Sequence, residues 1–187
     1  MARLFGIGRG PRRFEFRCEC CGSIHRGSPS FSLPRPEHVF DVPEGERDVR
    51  VVANDDLCII YPANGKPLEE TTYWIRAILD IPIHDVAEPF RWGIWMSQSK
   101  EAYDRYSETF DSDQSSDGSF GWLPVHMNYY RNADGSWPML ECHIDWGSAG
   151  KRPSVRLREC DNQLYLDQRD GISWGKAIEI ASPLMHK

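Results

Sequence analysis

Residues 71–83, Thr-Thr-Tyr-Trp-Ile-Arg-Ala-Ile-Leu-Asp-Ile-Pro-Ile, constrain the fold more than any other stretch. The run is long, β-branched and aromatic, which reads as a strand with Pro82 near its end or on a sheet edge. A lone strand is not stable in water, so further strands must lie beside it. The sequence offers several. Leu57–Tyr61 is a strand closed by Pro62 and an Asn64-Gly65 turn. In Phe90–Ser97, Trp92, Ile94 and Met96 share one face, and Gly93 and Trp95 the other. Met139–Trp146 alternates, with Leu140, Cys142, Ile144 and Trp146 on one side and Glu141, His143 and Asp145 on the other. Val155 and Leu157 lie on a strand opened by Pro153.

Helices are expected between and after these strands. Ser99 caps one that begins at Lys100, with Ala102, Tyr103, Tyr106 and Phe110 forming an apolar stripe. A terminal helix spans Ser173–Met185, with Trp174, Ala177, Ile178 and Ala181 inward. Pro43–Val52 is read as a short helix, although Val49 and Val51 also alternate like a strand. Ser28–Pro36 holds three prolines and is read as a loop. Asp111–Ser119 is expected as a second, polar loop. Strands in the middle with helices around them point to an α+β domain with a central antiparallel or mixed sheet. At 187 residues one domain is expected, over 14–187, behind a flexible segment 1–13. No internal repeat or phosphate-binding βαβ unit is visible.

The chemistry concentrates at residues 14–27, where three of the six cysteines fall within four positions. Phe14 and Phe16 alternate with charged residues as a short strand, the cysteines form the turn, and Ser23–His25 returns. Cys18-x-x-Cys21-Gly22 has the spacing of a zinc knuckle, in which two thiolates project to one side and glycine takes the tight turn. Zinc needs about four ligands. His25 is a third candidate; Cys58, Cys142, His143 and Cys160 are distant ones. Against this, there is no second Cys-x-x-Cys, and a buried cysteine is often a small apolar residue. A thioredoxin-type motif should open a helix, whereas strands flank this one. Cys20 lies between the two ligands and is read as a spectator.

Other motifs carry less. Asp113-x-Ser115-x-Asp117-Gly118 resembles the front of a calcium loop, but its twelfth position is Pro124 instead of a glutamate. His143 and Asp145 could supply a general base, or form the wet face of a half-exposed strand. The tryptophans are read as core and rim. A net charge of −6 argues against nucleic acid as a partner. No apolar run is long enough for a membrane span, and Met1–Arg13 lacks the apolar core of a signal peptide. A cytoplasmic, reducing location is therefore expected, with the cysteines as thiols or ligands.

Several segments together resemble the uncharacterised bacterial domain-of-unknown-function family 2199. They are Cys18-Glu-Cys-Cys21-Gly22 with His25, Asp56-Leu-Cys58-Ile-Ile, and Ile75-Arg76 through Ile81-Pro82 to Trp92-Gly-Ile-Trp95-Met-Ser97. Phe120-Gly-Trp-Leu123, Arg152-Pro153, and Asp167-Gln168 with Gly171-Ile172 complete the set. Their order and spacing match from Phe16 onward. The resemblance implies a small stand-alone protein and brings no catalytic residues. It adds weight to Cys18, Cys21 and His25, with Cys58 next. The resulting expectation is a structural zinc site at these four residues in a non-catalytic interaction domain with a protein partner. Two alternatives stand beside it: a metal- or thiol-dependent enzyme, and an acidic protein that neutralises a basic partner.

Overall fold

The computed structural model describes residues 12–63 and 70–185. Strands β1 (Glu15–Arg17) and β2 (Ile24–Arg26) form a separate antiparallel hairpin. Then follow β3 (Ser30–Ser32), α1 (His38–Asp41), a 3-10 turn at Glu44–Glu46, α2 (Arg47–Arg50), β4 (Val51–Ala53) and β5 (Leu57–Ile60). The central hairpin is β6 (Thr72–Ile81) with β7 (Phe90–Gln98). After it come α3 (Lys100–Glu108), β8 (Gly118–Pro124), a 3-10 turn at Asn128–Tyr130, β9 (Met139–Asp145) and β10 (Ser154–Leu157). Two helices close the chain, α4 (Gln163–Asp170) and α5 (Trp174–Ala181).

The mixed α+β expectation holds, but the sheet closes on itself. Strands β6, β7, β8, β9 and β10 run in order as neighbours, and β10 returns to pair in parallel with β6 at Ser154 and Ile78. This makes a five-stranded barrel. The Ile78 N–H donates to the Pro153 carbonyl at 2.8 Å across the closure. The long strands divide their outer edges. On β6, residues 72–75 pair with β5 and residue 78 with β10; on β7, residues 91–93 pair with β3 and residue 97 with β8. Strands β5 and β4 therefore extend the barrel on one flank and β3 on the other.

Alternation along β6 and β7 creates two cores. Ile75, Ala77, Leu79 and Ile81 join Trp92, Ile94 and Met96 in the main core, with Leu123, Leu140, Cys142, Ile144, Val155 and Leu157 from the other strands. The opposite face carries Trp74 and Trp95, which pack with Cys58, Ile60, Val39 and Val42 into a smaller second core. The expected facing of Phe90–Ser97 and of Met139–Trp146 is thus correct.

Helix caps follow their side chains. Ser99, Asn162 and Ser173 accept from the N–H groups of Ala102, Leu164 and Lys176. Gly171, at φ +81°, ends α4. Inside the domain a buried carboxylate ties three segments together. Asp167 on α4 accepts from the Tyr130 hydroxyl at 3.0 Å, from Gln163 at 2.7 Å and from Lys176 at 2.7 Å. Its neighbour Gln168 accepts from the Leu157 N–H and donates to the Val155 carbonyl, which pins α4 to β10.

Several expectations need correction. Ser28–Pro36 is not wholly a loop: β3 lies within it, held in parallel to β7 with Phe31 against Phe90 and Trp92. Pro43–Val52 resolves into both readings, two helical turns and then β4. The terminal helix ends at Ala181, and Ile180, more than Ile178, is its buried isoleucine. The polar loop ends at Asp117, and β8 begins at Gly118. The Asn64-Gly65 turn and residues 1–11 lie outside the described residues. Arg12 makes an isolated parallel bridge to Val86, its N–H donating to the Asp85 carbonyl at 2.7 Å. Among the described residues no helix is long and apolar enough to cross a membrane.

Candidate metal centre

The hairpin β1–β2 forms as its sequence requires. Phe14, Phe16 and Cys18 alternate inward and are buried in the main core, while the charged residues between them face water. Phe14 packs at a tilt against Trp174, 4.7 Å between ring centroids, which fastens the hairpin to α5. Phe16 and its cross-strand partner His25 are 5.4 Å apart. The turn is closed by Cys18 N–H to the Ser23 carbonyl (2.8 Å) and Gly22 N–H to the Cys18 carbonyl (2.9 Å). Gly22 takes φ +70°, a left-handed conformation that disfavours any side chain. Arg17 donates to the Gly22 carbonyl at 2.7 Å.

This turn brings three soft donors together. The thiols of Cys18 and Cys21 and an imidazole nitrogen of His25 all lie within 4.8 Å of one another. Cys21 Sγ is 3.6 Å from His25 Nε2. The Ser23 backbone N–H, then its hydroxyl and His25, hold the Cys21 thiol down to about 6, so it is largely thiolate at neutral pH. The site is graded in exposure: Cys18 is buried, His25 half-buried and Cys21 exposed. Residues 19–24 are exposed, so the donors sit at a hairpin tip and not in a cleft. Such a set could hold a metal ion.

Cys58 is not brought to this group. It pairs with Trp74 across β5 and β6 and points into the second core, while Cys18 belongs to the main core. Strand parity separates them. Burial pushes the Cys58 thiol up to about 11, as expected of a packed apolar residue. Cys142 is likewise buried and pushed up to about 12, donating to the Gly121 carbonyl. Cys20 is exposed, and no cysteine forms a disulfide.

The other nominated residues have ordinary partners. His143 is exposed on the outer face of β9, and Asp145 is paired with Arg156 at 2.5 and 2.8 Å. Asp113 accepts from the Ser115 N–H as a turn residue. Trp74, Trp92, Trp95 and Trp146 are core, while Trp122 and Trp137 are at the rim. Sequence reading missed Ser23, whose N–H and hydroxyl set the state of Cys21; a serine after the knuckle glycine was the available signal.

A family model described as an uncharacterized protein conserved in bacteria, DUF2199, matches residues 17–172. The chain belongs to the DUF2199 family. The match takes in all three donors and the whole barrel, and stops before α5. It also covers the Asp167-Gln168 pair, whose bonds to Tyr130, Lys176 and β10 give those residues a structural reason in this DUF2199 chain. Comparison with curated proteins and with solved structures found no match.

Proposed function

We propose that Cys18, Cys21 and His25 hold a zinc ion that locks the β1–β2 turn to the barrel, in a non-catalytic domain that binds a protein partner. The observation that carries this reading is the convergence of two thiols and an imidazole within 4.8 Å at a short hairpin turn. Thiolate and imidazole together favour zinc over harder cations. Cys18 continues the buried row of Phe14 and Phe16, so an ion bound there would join the exposed tip to the core. Its binding energy would add to folding energy. Six cysteines without a disulfide fit a reducing, cytoplasmic setting.

Three protein donors leave one tetrahedral position to water or to an outside ligand, which is also what a catalytic zinc needs. The exposed tip favours the structural role over the enzyme, and His25, the one base among the grouped donors, is itself assigned to the metal. The basic-partner alternative gains no specific support, because Asp80, Asp145, Glu141, Asp56 and Asp170 are already paired with arginines.

Elemental analysis of untagged protein tests the reading. About one zinc per chain is expected, with Cys21→Ser lowering both metal content and melting temperature. Cobalt substitution should give the absorption of a tetrahedral thiolate site. Metal-free protein, or a melt unchanged by Cys21→Ser, would overturn it.

A further inference from the structure

Away from the hairpin lies a cavity of about 420 Å³ between the end of β3, β7, the turn after β8, and α5. That volume is in the range that encloses a small organic molecule. Leu33, Trp92, Met127, Tyr129, Ile180 and Leu184 wall it. Trp92, Met127 and Ile180 are buried core residues, so much of the wall is fixed by packing. Tyr129 is more exposed and stands nearer the mouth.

The charge on the described lining of this cavity is negative. Among the described residues Glu179 is the only carboxylate that lines it, and no described lysine or arginine does. Glu179 is exposed and lines the same cavity as Tyr129, whose phenol is pushed up by burial first and by the Glu179 carboxylate to a lesser degree. His126, the other titratable lining group, has its pKa lowered by burial and stays neutral at pH 7. Lys176 sits 5.5 Å from the Tyr129 ring but is held by the Asp167 carboxylate at 2.7 Å.

We propose that this cavity binds a small organic cation, its apolar body against Trp92 and Ile180 and its protonated amine between Glu179 and the Tyr129 ring. A carboxylate and an aromatic face are complementary to an ammonium group. An organic acid of the same shape would meet the Glu179 carboxylate, with Lys176, over the Tyr129 ring, committed to Asp167, and an ammonium ion alone would leave the apolar walls unfilled. The site is independent of the cysteine hairpin.

The test is calorimetric titration of the full chain with 2-phenylethylamine, with 3-phenylpropionate and ammonium chloride as controls. Saturable binding of the amine alone is expected, with amide shifts centred on Trp92, Tyr129 and Ile180. Glu179→Gln should weaken the amine by about tenfold, the loss of one partly screened charge pair. Leu184→Trp, at a half-buried position, should fill the cavity and abolish binding while leaving the circular dichroism spectrum unchanged. Binding should survive treatment with a chelator, which separates this result from the metal reading. No saturable binding, equal binding of the acid, or an affinity indifferent to both substitutions would overturn the proposal.

Discussion

Two buried tyrosines show how much depends on one hydroxyl. Tyr130 and Tyr106 are both core residues, but Tyr130 donates to the buried Asp167, whereas the Tyr106 hydroxyl finds no partner among the described residues. Burial raises both phenol pKa values, so each stays protonated. Removing a hydroxyl should therefore have opposite consequences at the two sites. Tyr130→Phe should cost about 1.5–3 kcal/mol, since it takes one of three donors from a buried carboxylate. Tyr106→Phe keeps the ring contacts with Phe110 and Trp146 and should leave stability level or higher. Urea unfolding of both variants checks the pair; equal losses would show that Tyr106 is hydrogen-bonded after all. His126 supplies a pH effect. Burial lowers its pKa from the usual 6.5, with His38 adding to the fall and Glu37 and Asp41 opposing it. The unfolded chain then binds the proton more readily, so this stability is full above pH 6.5 and is lost as pH falls below it. Melting temperature should drop between about pH 7 and pH 5, and His126→Gln should flatten that drop. At this scale the sequence was legible where donors are close along the chain. Cys18, Cys21 and His25 share one turn and were found from spacing. Cys58 is turned into the second core instead, and which face of β5 lies toward which core depends on tertiary packing.

Among the elements, long alternating runs were readable and short interrupted ones were not. β6, β7 and β9 were found because their side chains alternate over seven or more residues. β8 went unread as a strand because Gly118, Gly121 and Pro124 look like loop residues, although Phe120 and Trp122 face out and Leu123 faces in. Its glycines have a geometric role. A Cβ on Gly121 would lie 2.5 Å from the Ser97 carbonyl oxygen and 3.0 Å from Ile144 Cδ1. β7 and β8 approach there too closely for a side chain. Gly121→Ala should therefore destabilise by about 1–3 kcal/mol through overpacking, read as a lower urea midpoint. An unchanged midpoint would mean that the two strands have room to part. β3 hides within a proline-rich stretch because its pairing comes from β7, and α4 is short with a weak apolar stripe. Hairpin β1–β2 was legible from alternation, and its attachment is testable: Phe14→Ala should cost about 3–5 kcal/mol and raise amide exchange across residues 14–27. Exchange confined to the barrel would show that the hairpin does not rely on Phe14.

For the molecule as a whole, strand content and class could be read but closure could not. Periodicity says that a strand has a buried face; it does not say which strand will lie beside it. The proposed amine site illustrates the same limit, since Leu33, Trp92, Tyr129 and Glu179 come from four separate stretches. The closure itself has a consequence for how the protein is made. β6 through β9 can pair successively with neighbours as each leaves the ribosome, but the Ile78 edge of β6 must wait for Ser154. Until that late strand emerges, the inward faces of β6 and β9 stay open to water and to other nascent chains. A chaperone that recognises bare apolar strands would meet this polypeptide during a defined interval of its synthesis, one that ends when β10 docks.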